Sequence, residues 1–143
     1  MGQMSWLIKI TDSHVTDGQT EKSEMETVAE ICGSENDYKI VYDEQGEELK
    51  GCVSTVHVTD GKCVQITRTG SYNTEMKMEK GRRNQCCYVT PVGQITMGIF
   101  TSRVISEFSE NSITLDFTYT LDFNNELVSR NRVKIEAQNK EAN

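Results

Sequence analysis

The chain is nearly without proline: Pro91 is the single one in 143 residues. Proline-rich rigid linkers are excluded, and long uninterrupted strands are open to it. Also missing is any apolar run near the ~20 residues that a membrane-crossing helix requires, and the N-terminus lacks the basic-then-apolar order of a signal peptide. Met1-Gly2 opens like a myristoylation site, but Trp6 stands where that motif needs Ser or Thr. Basic charge is scarce: 15 Lys and Arg against 22 Asp and Glu leave a net charge of −7. Such a chain repels phosphate backbones and anionic membrane faces, so neither nucleic acid nor membrane is expected as a partner. Paired cysteines are absent as well. Cys32, Cys52, Cys63, Cys86 and Cys87 are odd in number and scattered, with no C-x-x-C pair and no His at zinc-ligand spacing. Free thiols in a reducing cytoplasm are expected, with no metal and no cofactor.

What the chain has in abundance is alternation. From Ile113 to Phe123, apolar and polar residues alternate without a break, as in a strand with one dry face and one wet face. The same period divides the whole chain into about ten strands, over 4–14, 23–33, 37–44, 50–59, 62–69, 73–80, 84–90, 94–106, 112–122 and 126–137. No segment has helical period and no internal repeat is present. Connections such as Asp60-Gly61, Gly81-Arg82-Arg83 and Glu110-Asn111 are hairpin-short, so neighbours in sequence pair antiparallel. A meander this long leaves two open edges unless it closes. The expectation is one all-β domain over residues 1–143, core about 4–137: an antiparallel up-and-down barrel, with a two-sheet sandwich as the alternative.

Several short motifs give this barrel a family. Gly33 with Tyr38 and Tyr42, Arg68-Thr69-Gly70, Gly81, and above all Tyr88-Val89-Thr90-Pro91-Val92-Gly93 followed by Thr101 resemble the YwiB-like family of small bacterial proteins. The likeness runs from about Trp6 to Glu136, with a departure at Met78, where an aromatic residue is expected. It implies a lipocalin-like, or calycin, barrel and supplies no activity or catalytic residue.

Register then places side chains. If the first strand runs upward, the top carries connections 15–22, 45–49, 70–72, 91–93 and 123–125, and the longest, Val15 to Lys22, reads as a mobile lid. Trp6, Ile8 and Ile10 share an inward face that continues to Asp12 and His14. In the same way Tyr38, Ile40 and Tyr42 lead to Glu44, Val64 and Ile66 lead to Arg68, and Val133 and Ile135 place Asn131 and Ser129 inward. Asp12, His14, Tyr42, Glu44, Arg68, Ser129 and Asn131 thus converge on one mouth. Below them Trp6, Ile8, Ile31, Tyr38, Met78, Ile113 and Ile135 form an apolar plug. An inward guanidinium needs a partner, either Glu44 or an acidic ligand head.

Catalytic readings fail on geometry. Ser13 points away from Asp12 and His14, so these three form no triad, and His57 lies near the other end of the barrel from His14. Glu24, Glu26 and Glu30 form a solvated stripe. The sequence therefore predicts a non-enzymatic binding module for a small, partly apolar, acidic ligand, or else a filled barrel that acts through its surface in assembly.

Overall fold

A computed structural model describes residues 4–139. Ten strands follow one another: β1 (Met4–Thr16), β2 (Gln19–Ser34), β3 (Asp37–Asp43), β4 (Val53–Thr59), β5 (Cys63–Thr69), β6 (Asn73–Glu79), β7 (Arg83–Thr90), β8 (Gly93–Phe108), β9 (Ser112–Phe123) and β10 (Glu126–Asn139). Each pairs antiparallel with its neighbour in sequence, and β1 pairs with β10, so the sheet closes into an up-and-down, calycin-like barrel. No helix among the described residues is long and apolar enough to cross a membrane.

The barrel has a tall wall and a short one. β8, β9, β10, β1 and β2 run 12 to 16 residues, whereas β3 to β6 have 7 each and β7 has 8. β2 pairs with β3 only over Glu30–Ser34, leaving its upper half tied to β1 alone. The lid expected over Val15–Lys22 is therefore replaced by strand. β1 runs to Thr16 and β2 starts at Gln19, joined by Asp17 and Gly18 with φ of 51° and 77°. Two successive positive φ values give the twist that a two-residue hairpin requires, and Asp-Gly is the favoured pair for it. The longest connection is instead 44–52, closed by backbone bonds from Glu44 N to Cys52 O and from Cys52 N to Leu49 O, both 2.9 Å. It docks through Cys52 against Gly70, where an added Cβ would lie 2.8 Å from the Cys52 sulfur at a φ of +142°. Only glycine fits such an approach.

The lower barrel is solid. Ile8, Tyr38, Ile40, Val56, Val58, Val64, Met78, Ile99, Leu115 and Phe117 are all 0% exposed. The expected plug residues Trp6, Ile31, Ile113 and Ile135 join this core at 5% or less. Beyond a bulge between Thr101 and Arg103, β8 no longer pairs with β7 and instead meets Tyr38 of β3. The Tyr38 hydroxyl bonds Ser106 Oγ at 2.7 Å, and its ring lies 5.0 Å from that of Phe108. A buried phenol thus finds a partner, and the base is shut.

Candidate functional site

The same inward faces that build the plug turn polar in the upper half. Arg68 is the last inward residue of β5, and its side chain crosses β4 to reach Glu44, just beyond β3. Its Nη2 and Nε donate to Glu44 Oε2 at 3.0 and 3.3 Å, and Nε also approaches Ser54 Oγ at 3.4 Å. Ser54 in turn donates to the same Glu44 oxygen at 2.5 Å. Of the two partners the sequence offered Arg68, the protein supplies Glu44. The carboxylate is the more deeply placed, its side chain 7% exposed against 26% for Arg68. Because Arg68 binds side-on through Nε and Nη2, its Nη1 donors remain unengaged by the described residues.

Three phenols gather around this guanidinium. Tyr42, Tyr88 and Tyr119 stand on β3, β7 and β9, each half-buried. Burial pushes all three phenols well above their ordinary range, and in each case the Arg68 charge acts in the opposite direction. They are therefore neutral hydrogen-bond donors at physiological pH. The Tyr88 hydroxyl touches Met76 Sδ at 3.7 Å, a weak acceptor. Tyr119 stacks on Phe117 at 6.1 Å, so its ring continues the plug while its hydroxyl belongs to the mouth.

The tall wall supplies the remaining groups. Asp12 of β1 is half-buried, and desolvation raises its carboxyl pKa, partly offset by His14. Its charge is also felt at Tyr119, which puts it on the mouth. His14 sits further out, 3.9 Å from Glu21 across the β1–β2 ladder, and belongs to the rim. On β10 a register shift between Leu127 and Ser129 turns Ser129 inward, where it accepts a 2.9 Å bond from Asn131 Nδ2. The seven expected residues thus fall into a tight Arg68–Glu44–Tyr42 cluster on the short wall, and an Asp12–His14 strand and an Asn131–Ser129 pair on the tall wall. Sequence reasoning missed Ser54 and the mouth roles of Tyr88 and Tyr119. The inward period Ser54, Val56, Val58 would have found the first.

Elsewhere the chemistry is structural. His57 bonds Asp37 at 2.7 Å on the outer surface near the base. Cys86 is buried and Cys87 half-exposed, as adjacent strand positions require, and all five cysteines are free. Among the described residues no three His, Cys, Asp or Glu gather as a metal site.

A closed ten-stranded meander, sealed at one end and polar at the other, defines a calycin-like barrel of small-protein size. Residues 8–135 match a domain of unknown function (DUF1934), and the chain belongs to that family. Its fold is similar to that in the crystal structure of ywiB protein from Bacillus subtilis: the TM-score is 0.85 at 17% identity, over 96% of this chain and 92% of that one. No curated protein matches.

Proposed function

We propose that the protein is a cytoplasmic, non-enzymatic binding module that holds a small, partly apolar molecule with an acidic head in its upper barrel. One observation carries this reading. Apart from Phe108 at the base, the inward apolar residues of the lower half are sealed, whereas Ile10, Tyr42, Ile66, Tyr88, Met97 and Tyr119 keep contact with solvent on the same faces, around the buried Ser54 and Thr74. A barrel filled by its own side chains would close both halves alike. The mouth offers mostly donors: Arg68 Nη1, neutral phenols and the Asn131 amide, which favour an acceptor-rich head. Glu44 is already turned to Arg68 and Ser54, which leaves Asp12 as the carboxylate that the acidic head would have to avoid. Ile10, Ile66 and Met97 would hold the apolar part.

Exposed apolar side chains near the upper turns favour a second reading, assembly through the surface. Val92 is 98% exposed, Leu127 55% and Phe123 43%.

Titration with a fluorescent fatty acid separates the two. The wild-type protein should bind it saturably, and Tyr88→Phe with Tyr119→Phe, which keeps both rings, should weaken binding about tenfold by removing two hydroxyl donors. No binding, or unchanged affinity in the double variant, would exclude the mouth and leave the surface.

A further inference from the structure

On the opposite face of β1, back to back with the mouth, lies a second feature. Thr11 and Ser13 point outward where Asp12 points inward, and being short they floor a groove of about 330 Å³. Its walls are Lys22 of β2 and Arg132 and Lys134 of β10, with Glu136 at one end. Register puts these groups there: Ser13 is paired with Lys22 on one side and Arg132 on the other, and Thr11 is paired with Lys134. In the next strands the row continues through Thr118 to Arg103.

This concentration of positive charge runs against a chain of net charge −7. Asp116 is the acidic group beneath it: it receives Arg132 Nε and Nη2 at 3.1 and 2.7 Å and lies 3.9 Å from Arg103. That side-on pair neutralises one charge but also fixes the guanidinium, leaving Nη1 unengaged by the described residues. Lys22 and Lys134 make no ion pair within 4 Å among those residues, although Lys134 stands across from Asp116 and its charge helps to lower that carboxyl's pKa. Nearby Glu24 is taken by Lys9 at 3.7 Å.

We infer that this outer groove is an anion site for a soluble phosphate ester of small-molecule size, with Thr11 and Ser13 donating hydroxyls and Lys22, Arg132 and Lys134 neutralising the phosphate. Glu136, at the end of the groove, disfavours a second phosphate beside it. The site is independent of the mouth, because the β-sheet separates them.

The test follows backbone amide shifts of the full chain during titration with phenyl phosphate, ionic strength being held constant with sodium chloride. Saturable shifts are expected at Thr11, Ser13, Lys22 and Lys134, with none at Arg68 or Tyr119. The double variant Lys22→Gln, Lys134→Gln should bind about tenfold more weakly, as expected for two charges each worth a factor of about three. Ser13→Ala, which leaves every charge in place, should weaken binding about threefold, the lower end for one hydrogen bond. Non-saturable shifts, or equal affinity in both variants and the wild type, would overturn the site. Binding to vesicles containing phosphatidic acid without binding of phenyl phosphate would overturn it too, and would make the face a lipid surface.

Discussion

The two halves of this barrel are built by the same strands with the same period, yet they solve opposite problems. In the lower half, inward positions carry Ile, Val, Met and Phe at 0% exposure, and the lone buried phenol, Tyr38, has Ser106 as partner. In the upper half, the same faces carry the nearly buried Glu44 and Ser54 together with part-exposed Arg68, Asp12 and three tyrosines, only partly satisfied by one another. Apolar burial at roughly 25 cal/mol per Å² makes the lower half the source of stability. The upper half uses that stability to hold polar groups in place. The division teaches that strand alternation encodes a dry face, whereas height along the strand decides whether that face is core or site.

The largest effect should come from the plug. Phe117→Ala opens a cavity at the centre of the lower half and should cost about 3–5 kcal/mol in chemical denaturation, against less than about 1 kcal/mol for Tyr119→Phe, two residues up the same face. Similar losses at both positions would erase the distinction. Next comes the ion pair: Arg68→Met strands the nearly buried Glu44 and should cost about 2–3 kcal/mol, reduced from the fully buried case because Arg68 is 26% exposed. Adding Glu44→Met should restore most of it, and an additive double variant would show that the two residues do not act as a pair.

The acid range offers a smaller, signed test. Hydrogen bonds from Arg132 lower the Asp116 pKa against the opposing effect of desolvation, so folding favours its ionised form. The stability this contributes is complete above the unfolded value of 3.8 and is lost as pH falls through the lower folded pKa. Asp116→Asn should therefore destabilise at pH 7 and flatten the acid limb of the stability curve. Asp12 has the reverse sign. Burial raises its folded pKa, so the ionised carboxyl costs stability above that pKa, and the cost disappears as pH falls toward 3.8. Asp12→Asn should slightly raise the midpoint at pH 7 and leave it unchanged at pH 3. A fall at pH 7 would show that Asp12 stabilises the fold rather than serving the mouth.

Every strand was legible because a two-residue period persists wherever one face is buried, and the cross-strand meeting of Arg68 with Glu44 followed from counting inward positions. The upper β1–β2 hairpin was not. From Gln19 to Glu24 every residue of β2 is exposed, so no apolar alternation marks it as strand, and the polar run reads as loop. Asp17-Gly18 was its one legible turn signal. Tyr119 was hidden for a different reason: its place on the inward face is periodic, but its level relative to Arg68 depends on strand stagger in the closed sheet, which no local pattern contains.

The central claim, that the upper half is a mouth rather than a second plug, is tested most directly by native mass spectrometry of protein purified from its own host. The account predicts a co-purifying small molecule that is lost on unfolding and is absent from a Tyr88→Phe, Tyr119→Phe variant prepared in the same way. The bare polypeptide mass alone, or an adduct retained equally by that variant, would contradict it.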